Sequence, residues 1–199
     1  MIIYGDRKSG NCYKLQLLCA NLNIEHQWIE VDILNKETQS SDFLAKNPNG
    51  KIPVLELDSG EFLTESNAIL NYLAQNSPLL ANDLYHQAKI LQWQFFEQYS
   101  HEPFIAVARF IEKYLGLPAE RLEEYKQKQQ GAYKALDVME NHLSTNSFFV
   151  SNQYSIADIS LYAYTHVADE GGISLVNYPN INAWLVRVEQ QPGYCKIAQ

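Results

Sequence analysis

One stretch of the chain has the residue types to hold a small charged molecule: Asn47-Pro48-Asn49-Gly50-Lys51-Ile52-Pro53-Val54-Leu55. Asn-Pro and Asn-Gly are turn dipeptides, so residues 47–50 read as a tight loop. Val54, Leu55 and Leu57 then read as a buried strand. Pro53 stands where that strand begins, a position proline tolerates because it has no N–H to give a ladder. An X-Pro bond that turns sharply into a strand is also a place for a cis peptide. A cis Ile52–Pro53 bond would point the amide and carbonyl of Ile52 out of the sheet, free to pair with something extended, with Lys51 beside them. The chemistry implied is docking of a small, peptide-like, anionic ligand. A plain loop-to-strand connection with a surface lysine would use the same residues, and the stretch alone does not separate the two.

The other reactive side chains are scattered. Cys12, Cys19 and Cys195 are odd in number and form neither a CxxC pair nor a zinc spacing. His101, His142 and His166 show no metal-ligand spacing, and no convincing Ser/His/Asp set is legible. The expectation is therefore no metal. With 199 residues and 46% apolar side chains, the chain can bury a sizeable core without staples. A net charge of −8, spread evenly over the two halves, argues against nucleic acid or an anionic membrane as partner. Unpaired cysteines fit a reducing compartment. The N-terminus lacks a signal-peptide pattern, and no apolar run reaches the ~18 residues of a membrane span. These features together predict a cytoplasmic protein.

The elements that must position the 47–55 stretch follow from periodicity. Ile2-Ile3-Tyr4 reads as a first strand, and Gly5 to Gly10 as a polar loop. Cys12, Leu15, Leu18, Cys19 and Leu22 recur at helical steps, with Asn11 a fair N-cap. Glu25 to Val31 reads as a second strand, and a short helix is predicted around Asp42–Lys46. Asp58-Ser59-Gly60-Glu61 is a hairpin turn into Phe62-Leu63, and a further helix opens at Thr64 or Glu65. The order β-α-β-α-β-β-α, with its right-handed crossover, is the thioredoxin-like arrangement. After a boundary at 76–84 the period is helical throughout. One long helix is predicted from Tyr85 to about Tyr114, bending or breaking near His101-Glu102-Pro103. A second runs from Ala119 to about Leu143. Ser155 caps a third, with Asp158 at its N3 position and Tyr154 and Ile159 as a hydrophobic staple. Tyr178-Pro179 opens the last. The fold class predicted is an α/β thioredoxin-like domain over residues 1–78, followed by an all-α domain over 84–199.

Three motifs fall in order on this frame: Asn47–Leu55, Glu65-Ser66-Asn67-Ala68-Ile69, and Ser155–Asp158. Together they resemble the cytosolic glutathione S-transferase family, of bacterial type with a serine-type loop, and the resemblance covers essentially the whole chain. The first two motifs are specific in combination, whereas the third only marks a helix start. The function this implies is conjugation of the glutathione thiolate to small hydrophobic electrophiles, with glutathione as co-substrate and a homodimer as the usual assembly.

Within that resemblance each part of the tripeptide meets a motif. The helix start at Glu65-Ser66 suits the γ-glutamyl carboxylate, with the Ser66 hydroxyl as an added donor and Glu65 holding the α-ammonium. Ordinary helix capping would use the same two residues. Lys51 suits the glycyl carboxylate, Gln39 reaches toward the same end, and Ile52 beside Pro53 pairs with the cysteinyl backbone. Ser9 matches the serine whose hydroxyl stabilises the thiolate. Many serine-type members carry a proline where this chain has Asn11, and that amide can donate in place of Ser9. Cys12, in the first turn of a helix, is a third option through a mixed disulfide, although its phase with Leu15 and Cys19 fits a core residue. The electrophile is expected between this loop and the first long helix, near Tyr99, Phe104, Arg109, Phe110 and Tyr114. Two other readings stay open: a glutathione-dependent disulfide oxidoreductase or peroxidase, and a non-catalytic interaction module.

Overall fold

The structure is a computed structural model that describes residues 1–198. It divides into two compact units, Met1–Ser77 with the tail from Pro192, and Pro78–Gln191.

The first unit is built on a four-stranded sheet: β1 (Ile2–Gly5), β2 (Gln27–Glu30), β3 (Val54–Glu56) and β4 (Phe62–Thr64), in the order β2-β1-β3-β4. β1 and β2 are parallel and joined by helix α1 (Gly10–Leu22), and the other two pairings are antiparallel. Ile3 lies in register with both Trp28 and Leu55. Side chains alternate across a strand, so Ile3 and Leu55 fall on one face, while Tyr4 and Val54 fall on the other. The first face packs with Leu15 and Cys19 of α1 and Ile69 of α3 (Ser66–Leu73). The second packs with Val31, Ile52 and Phe43 of a short helix α2 (Ser41–Leu44), whose start is capped by the Ser40 hydroxyl. This is the thioredoxin-like arrangement expected. A 3-10 turn at Glu37–Gln39 stands in the polar segment ahead of α2, where no element was expected.

The second unit is helical: α4 (Leu84–Phe96), α5 (Glu102–Arg109), α6 (Leu122–Leu143), α7 (Ile156–Thr165) and α8 (Pro179–Glu189). The predicted long helix from Tyr85 is carried by α4 and α5 with π-turns at Glu97–His101 and Phe110–Tyr114. Pro103 has no N–H for a helical bond, and the first π-turn ends two residues before it. Every residue of α7 is buried. Its start carries the expected capping box. Ala157 N–H donates to the Ser155 hydroxyl at 3.3 Å, and Ser155 N–H donates to the Asp158 carboxylate at 3.0 Å. Asp158 also accepts from Phe149 N–H at 3.2 Å and from Trp184 Nε1 at 3.0 Å, tying the preceding turn and α8 to the helix start.

The end of the helical domain differs from the expected residue 199. From Pro192 the chain leaves the helical unit and packs on α1. Asn21 Nδ2 donates to the Pro192 carbonyl and Tyr13 Oη to the Cys195 carbonyl, each at 2.7 Å. Gly193 makes the turn at φ +73, where a Cβ would lie 2.3 Å from the Ala20 carbonyl oxygen.

Candidate functional site

The sequence-predicted ligand residues of the first unit gather at two places, the start of α3 and the loop before β3. Ile69 N–H makes the first helical bond of α3, to the Glu65 carbonyl at 3.0 Å, so the amides before it face out of the helix start. Glu65 sits at the N-cap with φ +67, a left-handed conformation that costs a non-glycine residue about 1–3 kcal/mol. Its side chain is exposed and makes no capping bond. Ser66 behind it is buried, and its hydroxyl accepts from Lys14 Nζ at 3.3 Å and donates to Asn11 Oδ1 at 3.2 Å.

The loop before β3 is braced from within. Asn47, itself buried, donates from Nδ2 to the Lys51 carbonyl at 2.7 Å and accepts from Asn49 N–H at 3.1 Å. The Ile52–Pro53 bond is cis, and Ile52 stands outside the ladder, whose nearest registered residue is Val54. Lys51 is exposed, and no carboxylate pairs with it among the described residues. Gln39 lies against this loop, close enough that a Cβ on Gly50 would meet its Nε2 at 2.6 Å.

Ser9 caps α1 with its backbone, so the helix starts two residues ahead of the expected Asn11 cap. The Ser9 hydroxyl is engaged by the Cys12 thiol, which is fully buried. Burial pushes that thiol up to about 12, against the smaller opposing pull of the Ser9 hydroxyl and the Asp6 backbone. The mixed-disulfide option at Cys12 is therefore corrected, because desolvation outweighs the helix-start field that would lower its pKa. Cys12 is a packing residue against Gly5, where a Cβ would come within 2.6 Å of its sulfur.

In the helical unit, the five aromatic and cationic candidates have different surroundings. Tyr99 is 83% exposed. Phe110 and Tyr114 are half-buried and stacked at 5.6 Å. Phe104 packs on the backbone of α6 at Gly131, with Lys128 Nζ 5.4 Å from its ring centre. Arg109 departs from its expected role. It is buried and ion-paired to Glu170, which also takes Lys113 at 2.7 Å, so its charge ties α5 to the turn after α7.

The family model for the glutathione S-transferase N-terminal domain matches residues 1–75, and that for the C-terminal domain matches residues 86–192. The chain belongs to the glutathione S-transferase family. It is similar to the crystal structure of a glutathione S-transferase from Pseudomonas fluorescens, with 57% identity, a TM-score of 0.98, and coverage of 100% of this chain and 98% of that one. A glutathione S-transferase-like protein FUS3 from Gibberella fujikuroi is 34% identical over 180 residues, 85% of this chain and 82% of its own length. A maleylacetoacetate isomerase from Methylobacterium extorquens, in a structure bearing malonate and glutathione, is 25% identical with a TM-score of 0.81, over 97% of this chain and 94% of that one.

One residue of this glutathione S-transferase fold escaped the sequence reading. Lys14 is fully buried and touches Ser66. The signal was there: Lys14 stands three and four residues before Leu17 and Leu18, in phase with the buried face of α1. A lysine on an apolar stripe asks for a polar partner inside.

Proposed function

We propose that this chain is a glutathione transferase that joins the thiolate of glutathione to small hydrophobic electrophiles. The observation that carries the reading is the pairing, within one unit, of the exposed and acid-free Lys51 with the strained Glu65–Ser66 helix start. A tripeptide with a carboxylate at each end needs a positive group at each end. In this reading Lys51 takes the glycyl carboxylate as a point charge, with Gln39 beside it. The backbone of Ile52, ahead of Pro53, pairs with the cysteinyl unit. The amides and positive dipole end of α3 take the γ-glutamyl carboxylate, and Glu65 takes the ammonium. The bound glutathione in the Methylobacterium isomerase supports the same ligand here.

The thiolate is held by a donor near the start of α1, Ser9 or Asn11, because stabilising the charged form lowers the thiol pKa toward neutrality. Cys12 is no candidate for attack, and the disulfide-reductase alternative loses its protein thiol. Within the helical unit, Tyr99, Phe104, Phe110 and Tyr114 are the aromatic candidates for contact with an electrophile. The three free cysteines fit action in the cytoplasm. Among the described residues no helix is long and apolar enough to cross a membrane, and no cluster of three His, Cys, Asp or Glu could hold a metal. The exposed apolar residues Leu84, Leu91 and Phe95 along α4 support a homodimer, which sedimentation tests directly, a monomer at all concentrations counting against it.

Calorimetry with glutathione, followed by turnover of a model aryl halide, tests the function. Saturable binding and enzyme-dependent loss of the thiol are expected. Binding without turnover of any electrophile would favour the interaction module, and no binding would overturn both enzymatic readings.

A further inference from the structure

Two of the three cysteines, from opposite sides of the helical unit in the chain, meet on the wall of one cavity. Its volume is about 440 Å³, and Arg7, Gln16, Cys19, His26, Cys195 and Lys196 are among the residues that line it. All of these belong to the first unit, which includes the tail from Pro192. Cys19 stands on α1 beside the core of the sheet's first face and is 2% exposed, while Cys195 is half-buried. The tail that carries Cys195 is fixed on α1. Asn21 Nδ2 holds the Pro192 carbonyl and Tyr13 Oη holds the Cys195 carbonyl, each at 2.7 Å. Gly193 lies so close to the helix that a Cβ would stand 2.3 Å from the carbonyl oxygen of Ala20, the residue next to Cys19. A disulfide spans Cα atoms about 4.4–6.8 Å apart, the spacing of two backbones packed in direct contact. Burial pushes the Cys19 thiol up to about 12, with the Cys195 thiol as a smaller cause in the same direction, and burial pushes Cys195 up too. Both therefore rest as protonated thiols at neutral pH. The charged side chains among the lining residues, Arg7 and Lys196, are both cationic, which favours an anionic reagent, although Arg7 also pairs with Glu30 at 3.7 Å.

We infer that Cys19 and Cys195 are a redox-modification site, which a small disulfide such as glutathione disulfide converts to one intramolecular disulfide stapling the tail to α1. Cys195 is the more exposed of the two, so its thiolate attacks first, forming a mixed disulfide and expelling one glutathione thiolate. The Cys19 thiolate then attacks the Cys195 sulfur and expels the second. The two protons shed by the cysteines go to the departing thiolates, and the two electrons lost by the protein reduce the small disulfide to two thiols. The bond closes a loop that contains the whole helical unit, Pro78–Gln191. Scarce thiolate makes the exchange slow, and a reducing compartment reverses it. Neither thiol is among the glutathione ligands proposed above, so the inference does not depend on that reading.

The full chain is incubated with excess glutathione disulfide at mildly alkaline pH, quenched with acid, unfolded and alkylated with iodoacetamide. Intact mass is expected to show one alkylated thiol in place of three and no retained glutathione. Peptide mapping should find Cys19 joined to Cys195, a link that dithiothreitol separates, with Cys12 alkylated. In concentrated urea the same treatment should scatter the links over Cys12, Cys19 and Cys195. A folded chain that keeps three free thiols, holds glutathione on Cys195 without a link to Cys19, or pairs as indiscriminately as the unfolded one would overturn the inference. Cys19→Ala should stop at a stable glutathione adduct on Cys195, and an unmodified Cys195 there would overturn its place as the attacking thiol. Should Cys19→Ala fail to fold, the map of the parent chain decides alone. The oxidised parent should also have a higher urea midpoint than the reduced one. A lower midpoint would show that the bond strains the fold and would overturn the native pairing.

Discussion

Lys51 and Cys12 separate attraction from chemistry at the level of single residues. Lys51 meets its ligand, in the reading proposed here, as a solvated point charge that takes no part in bond changes. Lys51→Ala is therefore expected to raise the glutathione KM roughly tenfold with kcat within about twofold, and the loss should shrink as salt is added. A fall in kcat alone would place Lys51 elsewhere in the reaction. Cys12 makes the opposite case. Its thiol is buried and held protonated, so Cys12→Ala should leave conjugation and any disulfide reduction within about twofold. The vacated volume should cost roughly 1–2 kcal/mol in urea unfolding. Loss of reductase activity in that variant would restore a mixed disulfide at Cys12. The first-turn position of Cys12 was legible in the sequence. The desolvation that reverses its pKa was not, because it depends on what α1 packs against. The same limit hid Lys14, whose partner lies 52 residues away.

Among the elements, α7 stands on its own start. Ser155→Ala removes the acceptor for one buried N–H and should cost about 1 kcal/mol. Asp158→Ala should cost more, about 3 kcal/mol, because it strands the donors of Ser155, Phe149 and Trp184 together. Equal losses for the two variants in urea denaturation would show that the helix cap alone matters. This element could be read from residues 154–159 because a capping box is local. The strands were also legible, since alternation and the turn residues at 47–50 and 58–61 are local signals. The π-turns at Glu97–His101 and Phe110–Tyr114 were not. Pro103 announces a break, but the register that relieves it is chosen by packing. Arg109 reads as a candidate near the electrophile for the same reason: Glu170, its partner, sits 61 residues further on.

Over the whole molecule, acid should unfold the chain through His166 in part. Burial pushes this imidazole down to about 4, so the fold favours its neutral form. Its stabilising contribution is complete above pH 6.5 and is lost as pH falls toward 4, at most about 3 kcal/mol. Asp158 acts in the opposite sense. Burial pushes its carboxyl up to about 6, so its protonated form is favoured by the fold and that contribution is lost as pH rises through 6. Between pH 4 and 6 the two offset each other in the parent chain. His166→Gln removes one side of the balance. Its stability should therefore fall less on acidification from pH 6.5 to 4, by urea midpoint, than that of the parent. An identical acid slope in both would assign the transition to other groups.

The tail from Pro192 has a consequence for how the chain is made. The thioredoxin-like unit precedes the helical unit, yet its α1 face is closed by residues that follow that unit, through Tyr13 and Asn21. During synthesis at about 5–20 residues per second, residues 1–77 wait on the order of ten seconds for the segment that closes them. The helical unit is translated entirely within that interval. An expression product cut after residue 77 would carry every proposed glutathione ligand and still lack part of its own wall.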